Sequence, residues 1–183
     1  MRVVLSIFAL IVTLPFVVQA QYQSVGVLVE SKELSTGIGY YHLASRIGFY
    51  ATLSATIFKP PNTDADNFYD NISENTARNF YQDDFKRQAT NTAIVNAGPV
   101  IKITDGLSAY LGVGYVELTE YKKFYDRMHI LSDDGDYWIK TGQGSSFNVN
   151  GGLILMLSDR VVGQAGYLSK PIGLSIGVAY NFN

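Results

Sequence analysis

Histidines are the first residues to weigh as catalysts, because imidazole is the side chain that most readily exchanges protons near neutral pH. His42 and His129 are the only two in the 183-residue chain, and they lie in different regions of it. Neither has a neighbouring nucleophile at a recognisable spacing. The sequence therefore predicts no catalytic residue and no enzymatic activity.

An acidic turn is the second candidate for chemistry. Asp133, Asp134 and Asp136 flank Gly135 and offer carboxylate oxygens, which divalent cations such as Ca²⁺ prefer. The stretch lacks the spacing of an EF-hand loop and its distal glutamate. We interpret it as a solvated hairpin tip and predict neither a metal site nor a cofactor. The chain also has no cysteine, which excludes disulfides and thiolate metal sites.

Aromatic side chains interleaved with charge are the best candidates for a binding surface. They fall in two polar segments, residues 59–88 and 118–144, which we interpret as long loops. Tyrosine and tryptophan also favour the headgroup level of a membrane, so an interfacial belt is the alternative for those near strand ends. The residues from Glu74 to Ala89 include good helix formers, so a short helix is an alternative interpretation of this segment. The candidate binding residues are Phe68, Tyr69, Phe80, Phe85, Tyr125 and Trp138.

The distribution of charge indicates which elements carry these loops. Twenty of the 30 charged residues lie between Lys59 and Arg87 or between Glu117 and Lys140, and the intervening stretches are nearly uncharged. A charge facing lipid at the bilayer midplane costs about 2–4 kcal/mol, so strands that span a membrane are depleted of charge. A net charge of −2 without a basic block argues against nucleic acid as a partner.

The segment from Gly173 to Phe182 shows the clearest strand pattern. A side-chain period of two places its apolar residues on one face and its small or polar residues on the other. A transmembrane barrel needs apolar side chains toward lipid and small or polar ones inside. A secreted, lipocalin-like barrel that binds an apolar ligand would show the reverse. The apolar face consists of Leu174, Ile176, Val178, Tyr180 and Phe182.

About eight strands of this kind are predicted along the chain. Short turns fall at every second connection, at residues 44–46, 105–106 and 158–160, whereas segments 59–88 and 118–144 fall on the other side. Short periplasmic turns and longer outer loops are typical of outer-membrane barrels. An even strand number places both termini on the periplasmic side. Side chains just fill the interior of an eight-stranded barrel, so we expect no wide pore.

Residues 1–20 are typical of a cleavable signal peptide. Arg2 precedes an apolar run that ends at Val18, and Ala20 is a small residue at the expected cleavage point. We therefore predict export, followed by a single barrel domain over residues 21–183.

These features together resemble the small eight-stranded outer-membrane β-barrels. That group includes the membrane domain of outer-membrane protein A and the outer-membrane protein X and Ail/Lom proteins. The likeness is detailed at Ile176–Phe182 and Tyr110–Tyr115. The family usually ends on an aromatic residue, whereas Asn183 follows Phe182 here.

The resemblance implies an all-β, antiparallel, up-and-down transmembrane barrel in the bacterial outer membrane, with a structural or adhesion-like role exerted through its outer loops. The partners it implies are outer-membrane lipid, the barrel-assembly machinery that reads the C-terminal strand, and extracellular or surface ligands. The family also contains lipid A acylases and deacylases that use His with Ser and an acidic residue. A lipid-modifying enzyme stays the alternative, although no His-x-Ser-Asn-type arrangement is present.

Overall fold

The computed structural model describes residues 22–31, 35–56 and 68–182, so the predicted signal peptide lies outside the described residues. No helix in these three ranges is long and apolar enough to cross a membrane. A π-helical turn spans Thr76–Phe80. The strands are β1 Tyr22–Glu30, β2 Ser35–Leu43, β3 Ile47–Thr56, β4 Phe68–Tyr69, β5 Asp84–Lys102, β6 Leu107–Tyr125, β7 Asp136–Ser158, β8 Val161–Ser169 and β9 Ile172–Asn181.

The chain divides into two compact units. The described residues of the barrel unit are 22–31, 35–56, 92–116 and 145–182, and those of the loop unit are 68–91 and 117–144. Strands β5, β6 and β7 each contribute one segment to either unit. The two segments in which the sequence concentrates charge therefore fall in the loop unit.

Eight of the described strands close into an antiparallel barrel. Their order is β1-β2-β3-β5-β6-β7-β8-β9, and β9 pairs back onto β1. This closing pair runs from Ser24 opposite Asn181 to Glu30 opposite Ser175. Closure leaves the barrel without a free sheet edge. The all-β, up-and-down barrel predicted from the sequence is confirmed.

The two faces of β9 follow the predicted alternation. Ser175, Ala179 and Asn181 are buried, and the apolar set from Leu174 to Phe182 is 48–62% exposed. The same apolar exposure recurs on β1, where Val27 is 67% exposed. Apolar groups therefore cover the outside of the barrel, and a water-soluble, lipocalin-like barrel is the wrong interpretation.

Hydrogen-bonded side chains fill the middle of the barrel interior. The Tyr41 hydroxyl donates to Oε1 of Gln164, and Nε2 of Gln164 donates to the Tyr110 hydroxyl at 2.8 Å. The Tyr50 hydroxyl donates to Oδ1 of Asn150. Most buried polar groups in proteins are paired in this way, because an unpaired one costs free energy.

The two predicted long loops are shorter than the sequence indicated. Strand β5 begins at Asp84 rather than at residue 89, β6 continues to Tyr125, and β7 already begins at Asp136. The short helix that the sequence allowed as an alternative within residues 74–89 is confined to its first turns, because β5 begins at Asp84. These segments are rich in charged residues, so the apolar period that identified the other strands is absent from them.

Candidate binding surface of the loop unit

A small apolar core organises the loop unit. Ala77 of the helical turn is fully buried together with Phe124, Tyr137 and Ile139 from β6 and β7. The rings of Phe124 and Tyr137 stack with centroids 6.0 Å apart, and Tyr69 meets Tyr137 edge-on at 5.9 Å. Such contacts add to the burial of apolar area and hold the helical turn against the two strands.

Glu74 ties the start of the helical turn to β6. Its Oε2 accepts from Nζ of Lys122 at 2.5 Å, and its Oε1 accepts from Nε of Arg78 at 2.9 Å. The hydrogen bond from Lys122 contributes most to lowering the pKa of the Glu74 carboxyl, and the Arg78 guanidinium adds to it. This carboxyl is therefore charged throughout the physiological pH range.

A buried carboxylate shapes the tip of the β6–β7 hairpin. Asp126 accepts from the backbone N–H of Met128 at 3.0 Å and from that of Leu131 at 2.5 Å. Burial acts to raise the pKa of Asp126, but backbone donors including Leu131 and Met128 outweigh it, so the pKa lies below its usual value. His129 takes a left-handed conformation there, with φ of 51°. The tip is therefore a fixed turn.

Basic side chains of the loop unit lie over aromatic rings. The Arg78 guanidinium lies 5.3 Å from the ring centroid of Phe85, and Lys86 lies 4.8 Å from that of Tyr125. Arg87 lies 4.9 Å from the ring centroid of Trp138. These cation–π contacts cover aromatic faces with charge and fix where both groups sit.

The six aromatic residues predicted to bind a partner differ in exposure. Phe80 is 77% exposed and Phe85 41%, so both offer apolar surface to solvent. Trp138 is only 5% exposed, which does not fit its predicted place on a binding surface. The half-buried members are Phe68, Tyr69 and Tyr125. The binding role of all six stays a prediction.

Two exposed apolar residues at the hairpin tip were not among the binding residues predicted from the sequence. Met128 is 72% exposed and Ile130 64%. The sequence feature that could have identified them is a pair of large apolar side chains inside a strongly charged turn. Exposed apolar groups surrounded by charge often mark interaction sites.

Comparison with solved structures relates this architecture to known proteins. The crystal structure of Ail, the attachment invasion locus protein of Yersinia pestis, is similar at a TM-score of 0.52 and 14% identity, over 88% of this chain and 97% of Ail. Ail in a phospholipid bilayer nanodisc is similar at 0.50 and 14%, over 88% and 99% of the two chains. The chain has the fold of the small eight-stranded outer-membrane β-barrels.

A third solved structure is less similar. Neisserial surface protein A has a TM-score of 0.42 and 13% identity, over 88% of this chain and 94% of that protein. No protein-family model matches the sequence, and no curated protein matches it.

The histidines of this outer-membrane-type barrel lie in different units. His42 belongs to β2 and stacks on Phe49 with ring centroids 4.9 Å apart. His129 lies at the hairpin tip, where its Nδ1 is 3.1 Å from the carbonyl oxygen of Asp133 and its Nε2 is 3.5 Å from the Tyr125 hydroxyl. Both ring nitrogens of His42 are buried without a hydrogen-bond partner.

The acidic turn also shows no built metal site. Across the described ranges, no group of three or more His, Cys, Asp or Glu side chains comes close enough to hold a metal ion. Asp133 and Asp134 are exposed to solvent. Their surroundings fit a solvated hairpin tip.

Proposed function

We propose that this chain is a non-enzymatic protein of the bacterial outer membrane that contacts its surroundings through the loop unit. The observation that carries the proposal is the reversal of surface chemistry between the two units. The barrel unit has an almost uncharged, apolar outer face, whereas the loop unit concentrates the charges of the chain. Hydrocarbon suits the first surface and water suits the second.

Strand lengths support the same assignment. Strands β5, β6 and β7 have 19, 19 and 23 residues. A tilted strand crosses a bilayer with about 9–11 residues, so roughly half of each long strand is surplus to the crossing. The surplus halves carry the aromatic and charged side chains of the loop unit. They are available for contact outside the membrane.

The exposed side chains of the loop unit favour an interaction with another surface. Phe80, Met128 and Ile130 are each more than 60% exposed and stand among charged residues. Large apolar groups in water are costly unless a partner covers them. An adhesion-like role also agrees with the name of the similar Ail structure, the attachment invasion locus protein.

The remaining partners belong to the same proposal. Outer-membrane lipid covers the apolar face of the barrel unit. The barrel-assembly machinery recognises β9 together with Phe182, which follows it. The rings of Tyr180 and Phe182 are exposed, and their centroids lie 5.9 Å apart. An aromatic pair at this end of a strand suits the membrane–water interface.

Residence in the outer membrane is tested by fractionating cells that express the full chain and by electrophoresis with and without boiling. The expected result is a band in the outer-membrane fraction whose mobility shifts on boiling, because a closed barrel resists detergent until it is heated. A soluble periplasmic band with no shift would contradict the proposal.

The interaction role is tested by comparing adherence of cells that display wild-type chain or a variant. Phe80→Ser and Met128→Ser each remove exposed apolar area and should lower adherence to epithelial monolayers several-fold at equal surface level. Asp134→Asn is the matched control, because it alters an exposed tip residue without removing apolar area. Equal adherence of wild type and both serine variants would refute a contact through these side chains.

A further inference from the structure

The exposed apolar pair at the β6–β7 hairpin tip contains a side chain with its own reactivity. Met128 is 72% exposed, which leaves its thioether accessible to small molecules in the surrounding water. The chain has three methionines and no cysteine, so its sulfur chemistry is confined to methionine. Met1 belongs to the predicted signal peptide, and Met128 and Met156 belong to the barrel domain over residues 21–183. A thioether is oxidised to a sulfoxide by peroxides.

The surroundings of the two methionines differ. Met156 lies on β7 and is partly buried, where it packs against a buried core cluster that includes Ile154 and Val162. Met128 stands mostly in water. Because oxidation by a dissolved reagent follows exposure, Met128 should react before Met156.

Met128 supports the hairpin tip with its backbone rather than with its side chain. Its N–H donates to Oδ1 of Asp126 at 3.0 Å. The N–H of Leu131 donates to Oδ2 of Asp126 at 2.5 Å, and that of His129 donates to the Asp126 carbonyl oxygen at 3.3 Å. A chemical change at the Met128 sulfur leaves these hydrogen bonds in place. The tip therefore keeps its conformation when the sulfur is modified.

Oxidation at this position changes the chemistry of the exposed surface. A sulfoxide is polar, whereas the thioether is apolar and adaptable in contacts. Met128 and Ile130 together form the apolar surface of the tip. The sulfoxide oxygen accepts hydrogen bonds from water and has to lose them when a partner covers it, which is costly. Oxidised Met128 therefore suits solvent better than it suits a contact.

We propose that Met128 is an oxidation site and that its oxidation weakens the contact made by the loop unit. This control rests on the proposed function, because it acts on the same contact surface. The oxidant is a peroxide such as hydrogen peroxide. A sulfur lone pair attacks one peroxide oxygen, the O–O bond breaks, an S–O bond forms, and the proton moves to the departing oxygen. The sulfur loses two electrons, and the peroxide is reduced to water.

The first experiment measures where and how fast the full chain is oxidised. Intact cells that carry the chain in their outer membrane are treated with hydrogen peroxide, and its peptides are then analysed by mass spectrometry. Met128 should form sulfoxide several-fold faster than Met156, and the mobility shift on boiling should persist. Equal rates at the two residues, or loss of the shift as Met128 is oxidised, would overturn the proposal.

The second experiment measures adherence to epithelial monolayers after the peroxide has been removed with catalase. Wild-type cells should lose adherence several-fold, and methionine sulfoxide reductases that act on both sulfoxide epimers should restore it. Met128→Leu conserves apolar volume without a reactive sulfur, so its adherence should survive the treatment. Met156→Leu is the matched control and should lose adherence as wild type does. Equal loss in wild type and Met128→Leu would contradict the proposal.

The same assay separates failure of this control from failure of the contact itself. Untreated Met128→Ser should adhere less than wild type, because it lacks the apolar side chain. If it adheres as well as wild type, the contact through Met128 is refuted, and with it the control by oxidation. If it adheres less, while wild type oxidised at Met128 keeps full adherence, the contact stands and the control by oxidation is refuted.

Discussion

At the scale of single residues, one buried carboxylate decides the conformation of the hairpin tip. Asp126 is 1% exposed, yet its two oxygens accept backbone N–H groups that the turn leaves without strand partners. A buried N–H without an acceptor costs about 1–3 kcal/mol, so the side chain replaces hydrogen bonds that the sheet cannot supply. The exposed Met128 and Ile130 stand on the turn that this carboxylate fixes.

Asp126→Ala should therefore loosen the tip and leave the barrel intact. The expected loss is about 1–3 kcal/mol of local stability, because the donors of Met128 and Leu131 lose their acceptor. Amide hydrogen exchange should speed up at these two residues, with unchanged exchange in β9. Asp134→Ala is the control, since Asp134 is exposed. Unaltered protection of the tip amides in Asp126→Ala would refute this role.

The depressed pKa of Asp126 gives the same residue a pH dependence of known sign. A carboxyl whose pKa is lower in the folded state stabilises fully above its unfolded value, about 3.9, and loses that contribution as pH falls through the folded value. Protection of the tip amides in wild type should therefore be constant above about pH 5 and decline in the acid range below pH 4. Asp126→Asn should show no such decline.

At the scale of elements, tight approach between strands explains the inward glycines. A Cβ at Gly152 on β7 would overlap the backbone of Ala165 and Gly166 on β8 and come within 2.9 Å of the Tyr110 hydroxyl. Gly144, on the same strand, has open space at this position. Glycine at Gly152 therefore leaves room for the Tyr110 hydroxyl in the narrow interior.

Gly152→Ala should accordingly destabilise the barrel by about 1–3 kcal/mol, the usual range for overpacking a filled interior. The measurement is the temperature at which the folded band disappears on electrophoresis. Gly144→Ala is the matched control and should change that temperature little. Equal midpoints for the two variants would contradict the close packing of β7 against β8.

The outer face of β9 allows a second prediction at this scale. Ile176 is 62% exposed on the apolar side and pairs with Val29 and Ala165 near the middle of the strand. A lysine facing lipid near the midplane costs about 2–4 kcal/mol. Ile176→Lys should lower the folded fraction in micelles and vesicles, whereas Asp134→Lys, which changes charge at the hairpin tip, should not. Equal folding of both variants would argue against lipid at this face.

Elements also show how far the sequence alone could predict the structure. Alternating apolar residues identified β9 and the barrel, because hydrocarbon demands that pattern from strands that cross it. The same rule missed the segments of β5, β6 and β7 outside hydrocarbon, where charge is tolerated on both faces. The exposed fraction of each aromatic side chain at the candidate site was less predictable from the sequence than the strands were. Trp138 is buried whereas Phe80 is not, and this depends on contacts such as that of Arg87 with Trp138, which join distant parts of the chain.

At the scale of the whole molecule, the two units differ in the solvent that their surfaces suit. The surface of the barrel unit suits hydrocarbon, and that of the loop unit suits water. The barrel unit combines an apolar outer face with strands whose backbone groups pair around the closed sheet, which is what a bilayer requires of strands. The loop unit has its own apolar core and its own ion pairs, among them Lys122 with Glu74 and Arg127 with Asp84 at 2.7 Å. Exposed ion pairs such as the second contribute little stability, so the aromatic core is the main support of this unit.

In the proposed topology, the β6–β7 hairpin tip lies outside the cell and the β5–β6 turn lies in the periplasm. Because the chain has no cysteine, this can be tested with single introduced thiols. A single thiol at Asp134, in the β6–β7 hairpin tip, should react on intact cells with a maleimide that does not cross membranes. A thiol at Asp105, in the short β5–β6 turn, should react only after the cells are lysed, because that turn faces the periplasm. Both side chains are exposed, so a difference in labelling reports the side of the membrane rather than burial. Labelling of Asp105→Cys but not Asp134→Cys on intact cells would invert the barrel and remove the loop unit from the cell surface.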